Sequence, residues 1–240
     1  MAKAAKTIEL QGEQVQYEVI RSADASQVRI DVGLGGVEVV LPQSEQVEPS
    51  DLLQQNDDWV LEQTARYQSY RDRIPDRTFE EGEEFPLFGI DREIEVVNVL
   101  WHHETDESIR LAERLVKRTS IQNELERFYR SRAEEHFTKR ADHFAKQMRV
   151  VYSRLQIRNQ KTRWGSFSPR TKTLSLNWRL VMAPPEVIDY VIVHELAHDE
   201  APHHGQRFWR IVAQHVPEYE EHAQWLEENG VELVFEASDL

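Results

Sequence analysis

Residues 184–209 read PPEVIDYVIVHELAHDEAPHHGQRFW, and this stretch decides the fold of the chain. Its double proline followed by an acid predicts the start of a helix, because proline suits the first helical position and a carboxylate suits the positive end of the helix dipole. The pattern HELAH then places two histidines four residues apart, on one helical face. His194 and His198 can therefore reach one metal ion, and the helix is expected to stop by Pro202.

Glu195 lies beside the first of these histidines, where its carboxylate can reach a water molecule on the metal without binding the metal itself. This arrangement is typical of hydrolysis by zinc-activated water, with the carboxylate as general base. Catalytic zinc usually takes three protein ligands. Because Ala201-Pro202 breaks the helix, either His203 or His204 can turn back and supply the third ligand. The spacing alone leaves both open.

The composition restricts the class of protein. The chain has 240 residues and no cysteine, so a disulfide framework is excluded and a metal must be held by His or carboxylate. No apolar run approaches the roughly 20 residues of a membrane-spanning helix, and the N-terminus MAKAAKTIEL lacks the apolar core of a secretory signal. We therefore expect a cytoplasmic protein without a membrane partner.

Charge is distributed unevenly along the chain. The formal net charge is −14, and only seven of the 29 basic residues are lysine, which is typical either of an ordinary acidic protein or of one from a salt-rich cytosol. The segment 143–185 contains no acidic residue and nine basic ones. A local positive surface of this kind indicates an anionic partner, unless its arginines pair with acids from elsewhere in the fold.

Residue periodicity predicts an α+β chain in two regions. Residues 1–118 form a strand-rich region with one helix, which opens at Pro49. Residues 119–240 form the catalytic region, with a long helix over about 119–149, short strands, the HExxH helix and closing helices. Gly230 is a residue that ends helices, and VELVF at 231–235 is compatible with a final strand. No internal repeat is evident.

The segment from Arg163 to Trp209 resembles a known family. RWGSFS, LSLNWRL, PPEVIDYVIVHELAH, a further histidine and FW follow in the order found in the YgjP-like metallopeptidase-domain family, a set of zincin-type proteins related to the SprT-like group. The N-terminal strands and PLFG at 86–89 are also similar to that family. The resemblance implies a zincin-like fold over almost the whole chain.

The same resemblance implies roles for particular residues. It identifies one Zn²⁺ per chain, bound by His194, His198 and His204, with Glu195 as the catalytic base. The chain departs from the family pattern at His203, where members commonly have Asn. That departure places a second histidine directly beside the implied third ligand.

Three further residues are candidates for supporting roles. Arg163, in the basic segment, can contact substrate or stabilise a developing oxyanion, and Tyr219 is a second candidate for the same task. Asp189 lies five residues before His194 and can accept the other ring N–H of a ligand histidine, or it can be an ordinary acid on the helix surface.

Three functions are consistent with these patterns. The motif chemistry and the resemblance favour a zinc-dependent metallopeptidase with a peptide or protein substrate. Members of the resembled family are also described as nucleotide pyrophosphatases acting on UTP, which the basic segment would suit, although the chain has no glycine-rich phosphate loop. The relation to SprT-like proteins implies a third alternative, a DNA-associated protease, which the net charge of −14 opposes.

Overall fold

The computed structural model describes residues 5–23, 25–161, 163–236 and 239. They form two compact units, of which the first ends at Ile74 and the second begins at Pro75. Among the helices within these residues, none has both the length and the apolar composition that crossing a bilayer requires.

The first unit is a four-stranded sheet with two helices. The strands are β1 (Lys6–Leu10), β2 (Glu13–Ser22), β3 (Arg29–Gly33) and β4 (Gly36–Pro42). Their spatial order is β1-β2-β4-β3, with β2 parallel to β4 and the outer pairs antiparallel. The helices are α1 (Pro49–Gln55) and α2 (Asp57–Arg71). The one helix predicted after Pro49 is therefore two, because the backbone leaves helical geometry at Asn56.

The second unit begins with another four-stranded sheet. Its strands are β5 (Glu84–Leu87), β6 (Ile90–Val97), β7 (His103–Glu104) and β8 (Ser108–Ala112). The order is β5-β6-β8-β7, with β6 parallel to β8 and the outer pairs antiparallel. The two sheets thus share one topology. This shared strand order does not appear as a repeat in the sequence, because the two sets of four strands have different residues.

The rest of the second unit carries the helices. They are the short α3 (Glu113–Val116), the long α4 (Ile121–Met148), α5 (Pro185–Ala197), α6 (Gln206–His215) and α7 (Tyr219–Asn229). The predicted long helix is confirmed in α4, which is capped by the Ser120 side chain and ends at Arg149 in the left-handed conformation, with φ 56°. In place of the final strand that VELVF allows, residues Gly230–Leu233 form a 3-10 helix.

A three-stranded sheet lies between α4 and α5 in the chain. It contains β9 (Arg154–Arg158), β10 (Gly165–Ser168) and β11 (Thr173–Asn177), in the order β10-β11-β9. β10 is antiparallel to β11, and β9 is parallel to it. β10 is therefore an edge strand. A 3-10 helix, Trp178–Met182, leads from β11 to α5.

The turn of the β5–β6 hairpin fixes the start of α5. The backbone N–H groups of Phe88 and Gly89 donate to the carbonyls of Val181 and Met182, at 2.8 and 3.1 Å. Gly89 has φ +75°, and a Cβ there would stand 3.0 Å from Pro184. Glycine is thus required at position 89 for two reasons: its positive φ, and the contact with Pro184 at the start of α5, which leaves no room for a Cβ.

One apolar core joins the second sheet to the helices. Phe85, Leu87 and Ile94 of that sheet are fully buried in the same cluster as α4 and α5 side chains. The compact unit that carries HELAH therefore begins at Pro75, earlier than residue 119, where the predicted catalytic region starts. Periodicity marks where strands give way to the long helix, but it does not show that these strands pack on that helix.

Candidate metal centre

Helix α5 is mostly buried, and only a few of its polar side chains reach the surface. Nine of its 13 residues are buried, including the β-branched run Val191–Val193. Burial on several sides stabilises this helix in spite of the low helix propensity of Val and Ile. The half-buried rings of His194 and His198 lie one turn apart on its exposed side, with their centroids 5.3 Å apart.

A third histidine completes the cluster. Nε2 of His204 lies 3.1 Å from Nε2 of His194 and 3.2 Å from Nε2 of His198. A tetrahedral zinc ion spaces its nitrogen ligands by about 3.4 Å, so the three nitrogens fit one ion. His203 is exposed and does not belong to this cluster in the described part of the chain. The chain turns between Ala201 and Gly205, and that turn returns His204 to α5.

The surroundings of two of these rings favour the neutral form that a metal requires. Nδ1 of His198 donates to the Ala201 carbonyl at 3.2 Å, which leaves the Nε2 lone pair free. Nδ1 of His194 lies 3.4 Å from the Tyr190 hydroxyl. Burial, with the neighbouring His198 and His204, lowers the pKa of His194 to about 4. Burial also lowers the pKa of His198. Both imidazoles are neutral at neutral pH and able to bind a cation.

Glu195 is a buried carboxylate beside this cluster. The residue is 8% exposed, and burial raises its pKa to about 7, against the opposing effects of the Phe167 backbone N–H and the Arg163 charge. The Phe167 N–H belongs to β10, so the edge strand orients the carboxylate. A carboxyl group with a pKa near 7 can both accept and release a proton at neutral pH.

A family model described as YgjP-like, metallopeptidase domain, matches residues 26–229. The chain belongs to this family. Membership of a metallopeptidase family implies a metal cofactor and a hydrolytic activity. No protein with a curated functional description matches the chain.

Two solved structures are similar to part of this YgjP-like protein. The metallopeptidase zymogen jannalysin of Methanocaldococcus jannaschii is 25% identical, with a TM-score of 0.36, over 39% of this chain and 95% of that one. The metallopeptidase zymogen abylysin of Pyrococcus abyssi is 22% identical, with a TM-score of 0.34, over 41% of this chain and 99% of that one.

Two aromatic side chains pack against the histidine cluster of this YgjP-like protein. The buried ring of Phe208 contacts the rings of His194, His198 and His204, with centroid distances of 4.8, 4.7 and 4.7 Å. Trp209 stacks beside His204 at 5.8 Å. The FW pair carries the family resemblance, but its contact with the histidines depends on how α6 packs on α5, which sequence spacing does not reveal.

The supporting residues predicted from the sequence lie in different places. The carboxylate oxygens of Asp189 accept from the Arg140 guanidinium on α4, at 2.6 and 2.5 Å. Of the two roles open for Asp189, this contact favours that of an ordinary acid on the helix surface. Arg163 is exposed, and its charge acts on Glu195. The ring of Tyr219 stacks on Trp209, at 5.2 Å between centroids.

Gly165 is required by the close packing of β10 on Glu195. A Cβ on Gly165 would stand 2.7 Å from Cγ and 2.9 Å from Oε1 of Glu195, closer than real Cβ atoms approach. We expect Gly165→Ala to destabilise the metal-free protein by about 1–3 kcal/mol, because the buried carboxylate must shift. Urea denaturation measures the change. Gly205→Ala is the matched control, since a Cβ there meets nothing within 4 Å; equal effects of the two substitutions would contradict the steric argument.

The raised pKa of Glu195 predicts a pH-dependent cost in the metal-free protein. The carboxyl has a pKa of about 7 in the fold and 4.5 as its ordinary value. Below pH 4.5 the carboxyl is protonated in both the folded and the unfolded protein, so burying it does not lower the free energy of unfolding. As the pH rises from 4.5 to about 7, the unfolded protein releases this proton first, and the free energy of unfolding falls. Above a pH of about 7 the loss is complete. Metal-free Glu195→Gln is therefore expected to be more stable than wild type at pH 8, by about 1–3 kcal/mol, and no more stable at pH 4. Urea unfolding at both pH values tests this, and a gain of equal size at both would refute it.

Proposed function

We propose that this protein is a zinc-dependent metallopeptidase that hydrolyses peptide bonds. His194, His198 and His204 would hold one zinc ion, and Glu195 would act as the general base. The observation that carries the proposal is the convergence of three imidazole nitrogens within about one coordination sphere, beside a buried carboxylate with a pKa of about 7.

Each neighbouring group has a task in this proposal. Zinc, when bound, acts as a Lewis acid that lowers the pKa of water to about 7. Glu195 takes the proton of the attacking water and passes it to the leaving amine, which its pKa of about 7 permits without a large energetic mismatch. The Phe167 N–H holds the carboxylate in place. Arg163 and Tyr219 remain candidates for stabilising the developing oxyanion.

The edge strand β10 supports a peptide as the substrate. Within the described residues β10 pairs with β11 alone. In an antiparallel pair, backbone groups point alternately towards and away from the neighbour. Because the Phe167 N–H bonds to Glu195, the carbonyl of the same residue also points away from β11. An extended peptide can add to such an edge through main-chain hydrogen bonds, directly beside the base.

Peptide hydrolysis by the full chain tests the proposal. The protein loaded with zinc is expected to cleave an unstructured peptide mixture, to lose this activity in excess chelator, and to recover it when zinc is restored. UTP is incubated in parallel as the competing substrate. Release of pyrophosphate from UTP without any peptide cleavage would contradict the proposal, whereas chelator-sensitive peptide cleavage would support it.

A further inference from the structure

Basic side chains stand at both ends of the edge strand β10. Arg163 lies two residues before Gly165, at the end near Glu195, and Arg170 lies in the turn that follows Ser168. We infer that this edge selects substrates that carry acidic residues on both sides of the bond to be cut. The inference rests on the proposed peptidase function and specifies its substrate class.

Arg170 is available for such a contact. It is exposed, and within the described residues it has no acidic partner. Lys172, in the same turn, is different, because its ammonium is paired with Asp199. The basic segment therefore does not pair throughout with acids from elsewhere in the fold, and Arg170 keeps an unneutralised charge beside the strand.

A third basic residue, Arg154, lies level with the Ser168 end of β10 in the three-stranded sheet. Arg154 on β9 pairs in register with Thr173, which pairs in turn with Ser168 on β10. Two strand spacings place its backbone about 10 Å from that of Ser168. Arg154 is exposed and also has no acidic partner within the described residues. The Ser168 end of β10 thus has the unpaired Arg170 in its own turn, and Arg154 adds positive charge from two strands away, on the side opposite the free edge.

The length of the edge defines where the acids should lie. The strand is four residues long, and an extended peptide of about four to six residues, at roughly 3.3 Å per residue, covers it together with the approach to each arginine. Glu195 contacts the strand at Gly165 and Phe167, between the two arginines. Acidic side chains about two to four residues from the cleaved bond would then face Arg163 on one side and Arg170 on the other, which leaves Tyr219 as the candidate for stabilising the oxyanion.

A peptide fits this surface better than a nucleic acid does. The chain as a whole carries a net charge of −14, which repels a polyanion that makes contacts over a long distance. The positive groups instead stand at the ends of a strand edge that offers backbone hydrogen bonds. A short acidic peptide can form main-chain hydrogen bonds with the strand edge and ion pairs with the arginines, whereas a phosphate backbone can form only the ion pairs.

Three peptides with one cleavable core test the inference. Their flanking residues are Glu, Gln or Lys, about three positions from the cleaved bond on each side. The zinc-loaded wild type is expected to cleave the Glu peptide with a kcat/KM about five- to tenfold above that of the Gln peptide and further above that of the Lys peptide, mainly through KM. The preference is expected to shrink in 1 M salt, which screens exposed charges.

Charge reversal at Arg170 locates the effect. Arg170→Glu is expected to lower the Glu-over-Gln ratio by at least about twofold, and Arg163 would carry the preference that remains. Arg118→Glu, an equal charge reversal at another exposed arginine, is expected to leave the ratio unchanged. An unchanged ratio in Arg170→Glu, or equal losses in both variants, would overturn the assignment.

The outcomes separate this inference from the proposed function. Cleavage of all three peptides at one rate overturns the acidic preference and leaves the peptidase intact. Cleavage of none overturns the peptidase and the inference together. Equal peptide rates combined with DNA binding that is weakened by Arg170→Glu would assign the basic ends to nucleic acid instead.

Discussion

Glu195→Gln is expected to reduce peptide hydrolysis by about a thousandfold or more, while the protein still binds one zinc ion. The amide has nearly the same shape as the carboxylate, so the fold and the three imidazoles are preserved. It cannot accept a proton at neutral pH, so the attacking water loses its base. The measurement is kcat/KM on a cleavable peptide, together with the metal content of the purified variant.

The control for this variant is Glu200→Gln. It makes the same chemical change five residues later, at an exposed acid that pairs with Arg207, and is expected to retain nearly full activity. If Glu195→Gln keeps more than about a tenth of wild-type activity, the general-base role is wrong. A loss of zinc from Glu195→Gln would also contradict the account, because Glu195 is not one of the proposed zinc ligands.

The central helix could be predicted because several local signals agree on it. The Pro-Pro-Glu entry, the four-residue spacing of the histidines and the stop before Pro202 depend only on neighbouring residues. The structure confirms the helix as Pro185–Ala197 and brings His194 and His198 to one face. The long helix α4 was predictable for the same reason, since its apolar stripe extends over many turns.

From spacing alone the third histidine was predictable only as a pair, and it was the family resemblance that named His204. The break at Ala201-Pro202 allows either His203 or His204 to turn back, and spacing does not decide between them. The geometry of the turn does, because it places His204 Nε2 within 3.2 Å of both helical histidines.

Contacts between distant elements could not be predicted from the sequence. The pairing of Asp189 with Arg140, 49 residues away, depends on how α4 packs against α5. The approach of Gly165 to Glu195 depends on β10 lying along the same helix. The final segment is compatible with a strand because its pattern alternates, but no partner strand pairs with it among the described residues, and it forms a 3-10 helix.

His204→Ala is expected to lose zinc, with an affinity at least about a hundredfold below wild type, because two imidazoles alone leave the ion short of a ligand. His203→Ala is the matched control. It removes an identical, exposed ring one residue earlier and is expected to bind as tightly as wild type.

The most direct test of the metal centre is the zinc content of wild type, His203→Ala and His204→Ala, measured side by side after dialysis against a competing chelator. The account predicts one zinc per chain in the wild type and in His203→Ala, and almost none in His204→Ala. Equal zinc in both variants, or a loss confined to His203→Ala, would contradict it.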